Sequence, residues 1–140
     1  MASIFIGNVL RREPIKIFGD GEQSRDFIHV SDVVAAWIKA FRAPAAKGQV
    51  FNLGTGTRIS INQLVRTDIA AFGEDPKAYP IEHFTVRPGD QRHMQADIRK
   101  TKALLKWAPE MTFDKGMGDV IAWAREEAAA KGHAKAKARR

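Results

Sequence analysis

Arg25 and Arg87 are the two residues of this chain whose settings best suit chemistry. Arg25 lies in Ser24-Arg25-Asp26-Phe27-Ile28-His29-Val30-Ser31-Asp32, a strand-like run that follows the turn Gly19-Asp20-Gly21. Arg87 opens Arg87-Pro88-Gly89-Asp90, a proline–glycine turn with a carboxylate three residues on. A guanidinium is a planar fork of donors that matches phosphate oxygens. Two such forks on turn-bounded scaffolds suit a diphosphate. The strand arginine, Arg25, also reads as a surface ion-pair member, with Asp26 or Asp90 as partner.

The elements that must hold these residues alternate between helix and strand. Residues 2–12 are apolar at helical spacing and end before Pro14. Residues 15–18 alternate like a short strand, and a glycine turn leads to a second strand over 24–30. That strand places Arg25, Phe27 and His29 on one face and Asp26, Ile28 and Val30 on the other. Ser31 is a candidate N-cap for a helix over 32–43, with Asp32 in its first turn. Residues 49–53 read as a strand. Ser60-Ile61-Asn62-Gln63 is a capping-box pattern that starts a helix to about Phe72. Residues 79–86 read as extended. Asp97 caps a helix to about Trp107, and Thr112 caps a last helix from Phe113 to about Ala130. The pattern is α/β.

Other motifs have plainer readings. Gly54-Thr55-Gly56-Thr57 sits between a strand and a helix like a phosphate loop, but Ile59 stands where a third glycine belongs. It reads as a turn feeding the Ser60 helix. His93, Asp97 and the nearby Asp90 have some metal-ligand character, yet His93 falls before its helix begins, and no metal site is expected. Asp26 and Asp32 are too far apart in this layout for a catalytic pair. Trp37, Phe41, Leu64, Leu104, Leu105, Trp107, Val120, Ile121 and Trp123 recur at helical spacing and read as core or interface.

Length, composition and charge narrow the classes. The 140 residues make at most one ordinary domain, 44% apolar and 28% charged. There is no cysteine, hence no disulfide framework and no thiolate metal site. The apolar opening precedes Arg11 and Arg12, the reverse of a secretory signal, and is too short to span a bilayer. A cytoplasmic protein without a membrane partner is expected. The net charge is +7, but residues 131–140 hold five basic residues and no acid, which leaves +2 on residues 1–130. The excess reads as a basic, disordered tail over 131–140, not as a nucleic-acid surface. A small nucleic-acid binder would show strongly salt-dependent binding and aromatic residues interleaved with basic ones.

In combination, Ile17-Phe18-Gly19-Asp20-Gly21, residues 24–32, Val50-Phe51-Asn52-Leu53-Gly54, Arg87-Pro88-Gly89-Asp90 and Trp107-Ala108-Pro109 resemble the extended short-chain dehydrogenase/reductase family. The likeness is to its NAD-dependent nucleotide-sugar epimerases and dehydratases, of the UDP-glucose 4-epimerase type. The resemblance implies that residues 1–130 are the C-terminal substrate-binding lobe, lacking most of the Rossmann domain. It implies that Lys16 and Phe18 line a nucleobase pocket, that Arg25 and Arg87 hold a diphosphate, and that Asp90 reaches the ribose. Phe27 stands at a substrate-side position where a tyrosine is often found, and Met94 where some epimerases of this type have one.

The family's chemistry uses NAD, a glycine-rich loop and a Tyr-x-x-x-Lys pair. Here the one tyrosine, Tyr79, is followed four residues on by His83, and no complete glycine-rich fingerprint occurs. No catalytic residue and no cofactor-binding residue is therefore assigned. Met1 matches a helix interior in the family, so the expectation is a C-terminal portion, from a truncated frame or an excised piece. Its partners would be a UDP-sugar, the missing Rossmann part and a second copy of itself. A dehydratase or decarboxylase parent, or a non-catalytic interaction module, are the alternatives.

Overall fold

A computed structural model describes residues 2–137, with side chains described for 2–130. Helix α1 (Ala2–Arg11) leads into strand β1 (Ile15–Phe18), and β2 (Ser24–Arg25) follows. Helix α2 spans Val30–Arg42, β3 Ile59–Ser60, α3 Ile61–Ala71 and β4 Ile81–Phe84. Two helices close the chain, α4 (Arg99–Leu105) and α5 (Phe113–Lys137). The strands form two small ladders. β1 runs parallel to β4, with Ile15 opposite Ile81 and Phe18 opposite Phe84. β2 runs antiparallel to β3.

Period-2 alternation in β1 sends Ile15 and Ile17 inward, where both are buried, and turns Lys16 and Phe18 to the other side. The main core packs those isoleucines against Phe5, Ile6 and Val9 of α1, Leu64, Val65 and Ile69 of α3, and Met117 and Ile121 of α5. A second, smaller core joins Ala36 of α2 to Leu105 and Trp107. Asp32 ties it together. Its carboxylate accepts from the Glu110 and Met111 amides at 3.0 and 3.1 Å, and its carbonyl accepts from Trp107 Nε1 at 3.1 Å. The first-turn acid is thus also the anchor of the 107–111 loop.

Several expected elements differ. The strand over 24–30 ends at Arg25, because Asp26 turns its carboxylate onto the 54–56 loop. The N-cap of α2 is His29, whose Nδ1 accepts from Ser31 N, so the helix starts before Ser31. Residues 49–53 carry no strand, since no neighbouring strand pairs with them among the described residues. At α4 the cap position is Ile98, although Asp97 Oδ1 still accepts from Arg99 N at 3.0 Å. Helix α5 runs past residue 130 to Lys137. The expected disordered tail falls on residues 131–140, whose side chains, with residues 138–140 altogether, lie outside the described residues. Among the described residues, no helix is long and apolar enough to cross a membrane.

Candidate functional site

The side of β1 that faces away from the core forms one wall of a cleft of about 460 Å³. Lys16, Phe18, Arg87 and Asp90 all line it, with Ile4, Phe5 and Asn8 from α1 opposite. Four of the six residues singled out from the sequence therefore meet in one place. The Phe18 and Phe84 rings lie 5.6 Å apart, tilted at 34°. Arg87 stacks its guanidinium over the Phe18 ring at 3.8 Å, and Lys16 Nζ lies 5.7 Å from the Phe84 ring. The result is a pair of rings, Phe18 on the cleft wall and Phe84 beside it, each with a cation held near it.

The Arg87 turn closes through Asp90 N donating to the Arg87 carbonyl at 3.1 Å. Gly89 sits at φ +79°, the left-handed value that a type II turn demands at its third position, and Pro88 supplies the fixed φ before it. The following segment is latched to the β1–β2 region. Ser24 N donates to the Arg92 carbonyl at 2.8 Å, and Met94 N donates to the Ser24 carbonyl at 3.0 Å. Arg92 grips Asp20 with both terminal nitrogens, at 2.6 and 2.9 Å. That hydrogen bond, with one from Glu22 N, holds the Asp20 carboxyl down at about 2. Nothing in the sequence pairs Asp20 with Arg92, which lie too far apart in the chain for any local spacing rule.

Arg25 and Phe27 are placed elsewhere. Arg25 does not line the aromatic cleft. It lies behind Asp90, to which its Nη2 donates at 2.5 Å, and opens onto a neighbouring cleft with Gln91, His93 and Met94. Its Nη1 donates to the carbonyls of Ser24 and Gln91 at 2.8 and 2.7 Å. The ion-pair reading of Arg25 with Asp90 thus describes its geometry. Phe27 packs against Phe113, with ring centroids 5.8 Å apart, in a separate apolar recess beside Met117 and Val120. Alternation along a strand over 24–30 puts Phe27 on the face of Arg25, but the strand ends at Arg25 and Phe27 packs on the α5 side instead.

The Gly54–Thr57 loop is a built anion site whose anion is internal. Asp26 accepts from Thr55 N at 2.7 Å, Thr55 Oγ1 at 2.6 Å, Gly56 N at 3.0 Å and Ala96 N at 3.2 Å. Burial acts to raise this carboxyl's pKa, but the four hydrogen bonds outweigh it and lower the value. A Cβ on Gly54 would meet Ala96 Cβ at 2.5 Å and Asp26 Oδ2 at 2.6 Å, so only glycine fits there. The amides that could receive a dinucleotide's phosphates are already taken, and the described residues do not fit NAD at this loop. His93 donates or accepts with Ser24 Oγ at 2.8 Å, and Asp97 pairs with Arg99 at 2.6 Å. Among the described residues, no group of three or more His, Asp or Glu side chains could hold a metal ion.

An α/β unit of this layout recurs in known enzymes of nucleotide-sugar metabolism. A family profile described as GDP-mannose 4,6 dehydratase matches residues 3–120. UDP-glucuronate 4-epimerase of Thermodesulfobacterium geofontis is 34% identical over 123 residues, 87% of this chain and 36% of that protein. UDP-glucose 4-epimerase of Thermotoga maritima, solved with UDP-glucose, superposes with a TM-score of 0.81 at 34% identity, over 90% of this chain and 39% of that one. MoeE5, solved with UDP-glucose and NAD, gives a TM-score of 0.78 at 34% identity, covering 90% of this chain and 41% of its own.

The chain belongs to the NAD-dependent epimerase/dehydratase family, within the extended short-chain dehydrogenase/reductases. It spans well under half the length of the relatives it matches, 36% and 39% of two UDP-sugar 4-epimerases.

Proposed function

We propose that this chain is the substrate-binding part of an NAD-dependent UDP-sugar 4-epimerase, and that its aromatic–cationic cleft receives the nucleoside diphosphate. The carrying observation is the convergence of Lys16, Phe18, Arg87 and Asp90 on one cleft. Phe18 offers aromatic surface to a base. Arg87, already fixed over a ring, offers a fork of donors to phosphate. Asp90 offers an acceptor to hydroxyls. The solved UDP-glucose complexes of similar proteins support this choice of ligand class. NAD and the acid/base pair would belong to the length of the relatives that this chain does not span. On that reading the chain alone binds UDP-sugar and does not turn it over.

A UDP titration by calorimetry or NMR tests the reading. A cleft that supplies only part of a substrate site should bind UDP weakly, on the order of tens of micromolar to millimolar. Arg87→Ala removes a charge-assisted contact worth about 1.5–3 kcal/mol and should weaken binding at least about tenfold. Deleting residues 131–140 should leave the affinity unchanged. Loss of binding on tail deletion, with Arg87→Ala binding normally, would make the basic tail the anion site and refute the cleft.

A further inference from the structure

Asp68 lies wholly inside the main core, at 0% exposure, and neither of its carboxyl oxygens has a hydrogen-bond partner. It stands on the stripe of α3 whose apolar members, Leu64, Val65 and Ile69, pack with α1 and α5. Among the described residues no ion pair reaches it. Arg11, the one ionisable side chain of α1, is exposed and binds Glu13 and Asn8. Lys16 of β1 lines the cleft instead. On α5, Asp114, Lys115, Asp119, Arg125 and Glu126 are exposed and Glu127 is partly buried. Arg66 of α3 itself and Glu82 and His83 of β4 are exposed, and the Tyr79 hydroxyl donates to the Glu13 carbonyl at 3.0 Å. A carboxylate here would be a buried charge without compensation, which is costly.

The two helices that cover α3 are held differently. Arg125 of α5 donates from Nη2 to the Ala71 carbonyl at 2.6 Å and lies 5.1 Å from the Phe72 ring. Helix α1 makes no hydrogen bond to α3 among the described residues and rests on it through Phe5, Ile6 and Val9. The same helix is a wall of the cleft, to which it gives Ile4, Phe5 and Asn8. We infer that Asp68 is a pH-sensitive latch beneath α1: protonated, it lets the helix stay packed as the cleft wall, and ionised, it drives the helix off α3 and opens the cleft. Release of α1 breaks apolar contacts alone, so it is a smaller event than unfolding the molecule and still brings water to the carboxylate. Burial raises the carboxyl to about 7, which puts the change near neutrality. The latch acts on the wall of the cleft, whichever ligand the cleft takes.

Amide hydrogen exchange of the full chain at pH 6 and pH 8, corrected for the intrinsic exchange rate, is the test. Asp68→Asn and Asp68→Leu are measured alongside, so that one variant remains should the other fail to fold. An acid of about 7 inside the fold and 3.8 in water makes an opening that exposes it about tenfold more favourable over that interval. Protection of the α1 amides should therefore fall about tenfold in the wild type and respond little to low urea, as a local opening does. The α2 amides should stay better protected than those of α1 at both pH values. In either folded variant the fall at α1 should vanish. Three results overturn the latch: α1 protection that holds steady from pH 6 to 8, a fall that persists in the variants, or equal protection of α1 and α2 with one shared urea dependence.

Discussion

Asp68 shows how one residue can set the pH response of a fold. It occupies the inward stripe of α3 with Ile61, Leu64, Val65 and Ile69, yet both its oxygens are buried without a hydrogen-bond partner. Burial raises its pKa to about 7. The folded state therefore favours the protonated acid, while the unfolded chain ionises near 3.8. Below that value neither state pays a charge penalty. Between it and about 7 only the unfolded chain releases the proton, so stability falls as pH rises, by on the order of 4 kcal/mol in all. Urea midpoints should drop between pH 5 and 7.5, and Asp68→Leu should flatten that slope and raise stability most at pH 7.5. A wild-type midpoint that climbs over this range would refute the buried-acid account. Sequence analysis does not single out this acid, although an aspartate stands where the i, i+7 stripe from Ile61 calls for an apolar residue. Arg87 stood out through local turn chemistry, whereas Lys16 and Phe18 were singled out only by the family resemblance, alternation giving no more than their shared side of β1. The hold of Asp90 on Arg25 was visible only as one of two partners for that arginine, because a strand position fixes the side a residue faces and not the group that reaches it.

Among the elements, those set by short-range rules matched the sequence most closely. Ser60 caps α3 by accepting from Gln63 N at 3.1 Å, as the capping pattern requires. Helix α1 and strand β1 follow the apolar period to its breaks. Residues 49–53 carry the apolar Val50, Phe51 and Leu53 of a strand, but composition does not report whether a partner is present to complete a ladder. The Gly54–Thr57 loop is the element-scale counterpart. Its glycines and threonines suggest a phosphate loop, and Asp26, supplied from far upstream, fills it. Replacing that carboxylate by Asp26→Asn leaves buried amides with poorer acceptors, at a cost of about 1–3 kcal/mol. The lowered pKa of Asp26 means that its contribution is present above the unfolded value and lost as pH falls through the acid range. Chemical denaturation should show a wide gap between wild type and variant at neutral pH that narrows towards strong acid. A gap that widens on acidification would contradict this role.

At the scale of the whole molecule, α2 carries an apolar face that nothing covers among the described residues. Val30, Val34, Trp37, Ile38 and Phe41 are all exposed, Trp37 at 69% and Phe41 at 93%. They recur at helical spacing on the side away from the small core of Ala36, Leu105 and Trp107. A contiguous surface of this kind favours association. Sedimentation should therefore show self-association that grows with concentration, and the pair Trp37→Glu and Phe41→Glu should shift the chain to monomer. A wild type that is monomeric at all concentrations would remove this expectation. The pairing of β1 with β4 has a consequence of another sort. Ile15 and Ile17, both fully inside the finished core, have their ladder partners at Ile81 and His83. During synthesis at about 5–20 residues per second, β1 leaves the ribosome roughly 3–13 seconds before β4 does. For that interval a buried strand of the core exists without the one strand it pairs with. A nascent chain in that state offers an apolar strand to any other open edge nearby, so the greatest hazard to this fold lies in the seconds before it is complete.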